Sequence, residues 1–158
     1  MTSHDFFIGF LWIWIAIAIG TFIILRFTTA PYGRHNRPKW GPQISNKWGW
    51  VIMEAPTLII FPLLFFTGPQ APDTTAWVIA GCYLAHYINR VLIFPFRIKT
   101  KGKKMPVVIM GSAIFFNLMN AGSLGYWLGW DRSPFSEGYL FTLPAIAGLV
   151  LFVLGAWI

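Results

Sequence analysis

The residues in this sequence most able to do chemistry sit where apolar helices rarely carry them. Glu54 and Arg90 each lie inside a stretch otherwise suited to cross a lipid bilayer. Ionisable groups in such stretches are costly, and they generally face a bundle interior or a cavity. Tyr87 stands three residues and His86 four residues before Arg90, spacings that share a helix side. Asn117 and Asn120, also three apart, bring two amides into a further apolar stretch. Two uses of these groups are open. In the structural one, Glu54 and Arg90 form an ion pair joining two helices, Tyr87 is an interfacial aromatic, and the asparagines hydrogen-bond between helices. In the chemical one, the groups line a polar pocket. A carboxyl in an apolar site can stay protonated, and beside a tyrosine hydroxyl it offers two donors to a carbonyl oxygen that becomes an enolate oxygen.

The elements that must position these groups follow from composition. The 158 residues are 56% hydrophobic and only 11% charged, where a soluble domain carries roughly 25% charged residues. A helix needs about 20 apolar residues to cross the hydrocarbon core. Five segments qualify: 6–25, 48–66, 75–96, 105–129 and 139–158. The expected fold is therefore all-α, a single polytopic membrane domain over residues 1–158. The first segment has no basic flank before it and ends at Arg26, so it reads as a retained helix rather than a signal peptide. At 1.5 Å per residue, Glu54 lies about 9 Å into the second span, Arg90 about 9 Å and Tyr87 about 13 Å into the third. Three groups from two helices thus share one layer.

Charge sets the expected orientation. Ten of the 12 basic residues fall on alternate connectors: Arg26, Arg34, Arg37, Lys39 and Lys47 on one, Arg97, Lys99, Lys101, Lys103 and Lys104 on the other. The positive-inside rule places these connectors in the cytoplasm and the N-terminus on the opposite side. Trp48 and Trp50 would mark the inner interface, and Trp77, Trp127, Trp130 and Tyr139 the outer one. The net charge of +7 is thereby a topology signal, not a nucleic-acid footprint. The long connector 27–47 is rich in proline and glycine, which argues for irregular structure. Cys82 has no partner cysteine, and His4 and His35 belong to no cluster with metal-site spacing. Neither a glycine-rich nucleotide loop nor a nucleophile elbow is present. Gly125 and Gly129 fit a small-xxx-small pattern, a weak signal for dimerisation at a helix end.

Several stretches, in order, resemble the steroid 5α-reductase family: Ala30-Pro31-Tyr32-Gly33-Arg34, Met53-Glu54-Ala55-Pro56, His86-Tyr87-Ile88-Asn89-Arg90, Leu92-Ile93-Phe94-Pro95-Phe96, Lys104-Met105-Pro106 and Phe116-Asn117-Leu118-Met119-Asn120-Ala121. The resemblance runs from about residue 26 to the end. It implies a seven-helix membrane enzyme that reduces the C4–C5 double bond of a 3-oxo-Δ4-steroid with NADPH. Position by position, Glu54 and Tyr87 are then the residues that hold the substrate carbonyl. Met53, Arg90, Asn117 and Asn120 support the pocket, and Lys103 is a basic position near the cofactor.

Departures from the family pattern bear on substrate. Met53 stands where the family often has Gln, and Leu124 where it has Gln after the fourth-helix motif. The family's cofactor-gripping Asn and Ser-Asp residues, and two more helices, would follow Ile158, so the expectation is a fragment with five of seven helices. Its leading function is enone reduction, with a lipophilic enone and membrane lipid as partners. The alternatives are a non-catalytic lipid- or sterol-binding or assembly module, and reduction of an enoyl thioester or polyprenoid. The membrane is expected to be a bacterial inner membrane or the endoplasmic reticulum.

Overall fold

The computed structural model describes residues 2–30, 35, 40–99 and 102–157. Most of the motif at 30–34, the basic residues Arg34, Arg37, Lys39 and Lys101, and Ile158 lie outside the described residues. Most of the described residues are helical, as the apolar runs require. Helix α1 spans Ser3–Phe27, with a capping box in which the Thr2 hydroxyl accepts from the Asp5 amide and the Asp5 carboxylate accepts from the Thr2 amide. The second span is α2 (Asn46–Glu54) followed by α3 (Thr57–Thr67). The third is α4 (Thr74–Ile88), a wide π turn at Asn89–Ile93, and α5 (Phe94–Arg97). The fourth is α6 (Val107–Tyr126), ending in a second π turn at Trp127–Asp131. After a 3₁₀ turn at Tyr139–Phe141 comes α7 (Leu143–Trp157).

Four of these spans are long and apolar enough to cross a membrane, and α7 is a shorter apolar helix. The protein is a multi-pass membrane protein. The fifth span is shorter than the expected 139–158 because a separate 3₁₀ turn takes up its first residues.

Proline explains the interruptions. Pro56 has no N–H for helix α2 to continue through. One residue on, the Thr57 hydroxyl donates to the Glu54 carbonyl at 2.6 Å, and the regular hydrogen-bond ladder is interrupted between α2 and α3. Pro95, one residue into α5, would clash with the carbonyl four residues earlier in a regular helix. The widened turn at Asn89–Ile93 lies immediately upstream, where the Phe94 amide reaches back to the Asn89 carbonyl.

Within the irregular connectors lies a feature that composition hides. Strand β1 (Gln43–Ser45) pairs antiparallel with β2 (Lys104–Pro106), in the register Ile44 opposite Met105. Bonds from the Val107 amide to the Pro42 carbonyl and from the Asn46 amide to the Lys103 carbonyl extend this ribbon into the first turns of α6 and α2. Met105 is buried beneath it against Gly49. The two basic connectors are therefore stapled together.

The core lies between α3, α4 and α6, around Phe61, Phe65, Ala76, Ala80, Ala121 and Leu128. Gly125 and Gly129 serve this packing. A Cβ on Gly125 would sit 3.0 Å from the Phe61 carbonyl oxygen, one on Gly129 would collide with the Leu64 carbonyl, and one on Gly68 with Gly129 itself. The small-residue pattern, read from sequence as a dimer signal, is thus used within the chain. Trp130 completes the contact by donating to the Leu64 carbonyl at 3.1 Å.

At the end away from the ribbon, Arg132 is buried and donates to Asp73 at 2.9 Å, to the Leu128 carbonyl at 3.1 Å and to the Ala71 carbonyl at 3.0 Å. Asp73 also caps α4 by accepting from the Ala76 amide. Burial works to raise the Asp73 carboxyl, but the amides of Ala76 and Phe135 and the Arg132 guanidinium outweigh it and hold it below its ordinary value. α1 docks on the same end through His4 and Asp131, 3.0 Å apart, and through Phe7 against Tyr126.

Two outcomes follow. Gly129→Ala should lower stability by about 1–3 kcal/mol through overpacking, whereas Gly148→Ala, which meets open space, should not; thermal unfolding in detergent separates them. Because the folded Asp73 carboxyl is depressed, its contribution is present above the ordinary value of about 3.9 and is lost as pH falls through the folded value. Unfolding temperatures of Asp73→Asn should lie below the parent at neutral pH, and the gap should close as pH falls through the depressed folded value.

Candidate active site

Three spans bring their polar groups to one cluster, buried at Glu54, Tyr87 and Asn117. Glu54 ends α2, just before Pro56, and is 3% exposed. Arg90 lies in the π turn, which begins one residue beyond Ile88, the last residue of α4 and the neighbour of Tyr87. Such widened turns recur at functional sites. Asn117 and Asn120 project from α6 on the side facing α2 and α4, as their bonds show.

The connections form one chain. Arg90 Nε donates to Glu54 Oε1 at 3.0 Å, and its Nη2 bonds the same oxygen in an ion pair. Glu54 Oε2 accepts from Asn117 Nδ2 at 3.1 Å. That nitrogen also donates to the Met53 carbonyl at 2.6 Å, a carbonyl close to the break at Pro56. Tyr87 Oη, buried, donates to Asn117 Oδ1 at 3.5 Å and accepts from Asn120 Nδ2 at 3.2 Å. Asn120 Nδ2 reaches Tyr83 Oη at 3.3 Å as well.

Every predicted residue except Lys103 is therefore in this cluster. Met53 enters through its backbone carbonyl, its side chain being buried. The ion-pair reading and the polar-cluster reading describe the same atoms. The carboxylate of Glu54 acts as an acceptor at both oxygens here, and the Tyr87 hydroxyl donates to Asn117. Lys103 is exposed ahead of β2, and no hydrogen bond or ion pair among the described residues joins it to the cluster.

Sequence reasoning passed over two participants. Trp50 lies under the Arg90 guanidinium, 4.8 Å from its centroid, and packs on Phe94. It is thus an inward partner of Arg90, while Trp48 is the exposed interfacial ring. Tyr83 precedes Tyr87 by four residues, and that spacing was the available signal.

A cleft of about 700 Å³ borders the cluster. Ala85, His86, Asn89, Arg90, Phe94 and Arg97 form one side, and Phe152, Gly155 and Ala156 of α7 the other. Arg90 belongs to both: one face bonds Glu54 and the other borders the cleft. His86 packs edge-on against Tyr87 at 5.2 Å. The lining is cationic and rich in donors at the ribbon end of the bundle.

Removing one member of a buried ion pair strands the other. Arg90→Met is expected to cost about 3 kcal/mol of stability, and the double variant Arg90→Met/Glu54→Met to recover most of it. A double-mutant cycle of thermal or denaturant unfolding measures that coupling.

No protein-family model matches the chain. Among curated proteins, it is 37% identical over 145 residues to Steroid 5-alpha-reductase DET2 of Gossypium hirsutum, covering 90% of this chain and 56% of that protein. It is 35% identical over 143 residues to the protein of the same name from Arabidopsis thaliana, covering 87% of this chain and 55% of that protein. Against 3-oxo-5-alpha-steroid 4-dehydrogenase 1 of Homo sapiens the identity is 32% over 108 residues, 66% of this chain and 41% of that protein. The chain spans about half the length of the curated relatives it matches. Across that shared half, the chain is a homologue of the steroid 5α-reductases.

Proposed function

We propose that this chain supplies the carbonyl-holding side of an NADPH-dependent reductase that saturates the C4–C5 double bond of a 3-oxo-Δ4-steroid or a similar enone lipid. The observation that carries the reading is the Arg90–Glu54–Asn117–Tyr87–Asn120 network, buried at Glu54, Asn117 and Tyr87, in a sequence aligned over nine-tenths of its length with steroid 5α-reductases.

Saturating an enone adds a hydride at the β-carbon and a proton at the α-carbon, and between these events negative charge gathers on the carbonyl oxygen. A reduced nicotinamide supplies the hydride when bound. What this chain must supply is a donor aimed at that oxygen. Tyr87 is suited to it. Asn120 donates into the phenol oxygen, which leaves the hydroxyl hydrogen to point elsewhere. Its present acceptor, Asn117 Oδ1, is 3.5 Å away, at the long limit of a hydrogen bond. A substrate carbonyl can displace that contact at little cost.

Glu54 joins in only with a proton on it. It then turns one oxygen from Asn117 toward the substrate and becomes the second donor. Arg90 meanwhile keeps the Trp50 face and the cleft as surroundings.

The cations on the cleft wall suit a dinucleotide phosphate. Arg90, Arg97, His86 and Asn89 would hold such a group, with Lys103 a further cation at the same end. The positive-inside rule supports a cytoplasmic position for both basic connectors, with the N-terminus on the far side. In a bacterial inner membrane or the endoplasmic reticulum, the cluster would then lie nearer the compartment that holds the cofactor.

The test uses a catalytically competent polypeptide that carries this sequence, NADPH and a 3-oxo-Δ4-steroid. Tyr87→Phe and Glu54→Gln should each lower kcat by about 10²-fold, the scale of losing one oxyanion donor. Near-normal turnover in both variants would overturn the assignment, and a panel of steroid, enoyl thioester and polyprenoid substrates fixes the substrate class.

A further inference from the structure

Tyr83 takes no part in the proposed chemistry, yet its hydroxyl lies in the same network. It sits one helical turn before Tyr87, and the two rings pack with centroids 4.6 Å apart. On its other side Tyr83 packs on Phe61 of the core, centroids 4.4 Å apart, and Phe61 is fully buried. The two phenol oxygens converge on one nitrogen: Asn120 Nδ2 lies 3.3 Å from Tyr83 Oη and 3.2 Å from Tyr87 Oη. A primary amide has two hydrogens and one plane. With one hydrogen directed at each phenol, the amide is fixed against rotation and both oxygens are acceptors.

We infer that Tyr83 is a positioning residue for Tyr87. It anchors the Asn120 amide to the core, so that the hydrogen Asn120 gives to Tyr87 is held in one direction. With Tyr87 Oη committed as an acceptor toward α6, its own hydrogen is turned toward the substrate carbonyl. Accepting that bond also polarises the Tyr87 O–H and strengthens it as a donor. Without the Tyr83 oxygen, the amide keeps one anchored hydrogen instead of two, and its plane is free to turn about the side-chain bond. Tyr83 itself touches no reacting atom in this arrangement.

The inference rests on the carbonyl-holding role of Tyr87, so its test must separate the two. The readout is the infrared carbonyl stretch of a bound, isotopically labelled 3-oxo-Δ4-steroid, taken without cofactor and without turnover on the same catalytically competent polypeptide in detergent or lipid nanodiscs. Donation by Tyr87 lowers that frequency relative to the steroid in an apolar solvent. Tyr83→Phe retains the ring packing on Phe61 and Tyr87, so its unfolding temperature should stay near the parent's while the frequency shift shrinks. Tyr87→Phe should remove most of the shift.

A full parental shift in Tyr83→Phe, alongside a lost shift in Tyr87→Phe, would overturn the positioning role alone. A parental shift in Tyr87→Phe, or no binding of the steroid by the parent polypeptide, would overturn both. Tyr83→Trp, which offers an N–H donor but no acceptor oxygen, should behave like Tyr83→Phe in frequency; a parental shift there would also count against the role.

Discussion

A carboxylate that is 3% exposed, in a span apolar enough to cross a bilayer, loses its water and receives no donor from lipid in exchange. Donors must come from other helices, and at Glu54 they come from two. Arg90 reaches one oxygen from the third span, and Asn117 reaches the other from the fourth. Each donor then needs support of its own. Trp50 lies under the guanidinium, and the Met53 carbonyl and Tyr87 share the Asn117 amide. The need to satisfy one buried charge therefore draws three spans to a common point and fixes how α2, α4 and α6 are rotated.

The backbone irregularities serve the same end. An unbroken second span would carry its carbonyls in the regular ladder, with no reason to meet a side chain from α6. The interruption at Pro56 lies beside the Met53 and Glu54 carbonyls, and one accepts from Asn117 while the other accepts from Thr57. The π turn after Tyr87 plays a matching part, altering the angular step between Tyr87 and Arg90 from that of a plain α-helix. Tyr87 is turned to α6 and Arg90 to α2. On the far side of the core, the absence of side chains at Gly125, Gly129 and Gly68 allows α3 and α6 to approach closely enough for those bonds to close.

Much of this was legible in the residues alone, where the reasoning needed only length and depth. Counting 1.5 Å per residue from the ends of two apolar runs puts Glu54, Arg90 and Tyr87 in one layer, and the structure joins them through side chains. What stayed hidden depended on tertiary contact. Tyr83 looks like any aromatic in an apolar helix until Asn120 is placed against it. Trp50 fits an interfacial belt by position, and only the inward aim of Arg90 makes it a partner. Gly125 and Gly129 carry no label saying whether their close neighbour is another chain or α3. Three-residue strands among prolines and glycines fall below any periodic signal, so the β1–β2 ribbon could not be read in advance.

That ribbon has a bearing on depth. Glu54 lies nine residues beyond the end of β1 and Asn117 eleven beyond the end of β2, with largely unbroken helix between in each case. The pairing of Ile44 with Met105 thereby acts as a common datum from which both helices are measured into the membrane. A slip of two residues, the smallest that keeps the same faces inward, would slide α6 along α2 by about 7 Å. Asn117 would then miss the Met53 carbonyl that it now reaches at 2.6 Å. A few hydrogen bonds between two connectors thus hold the alignment of a polar site set among the spans.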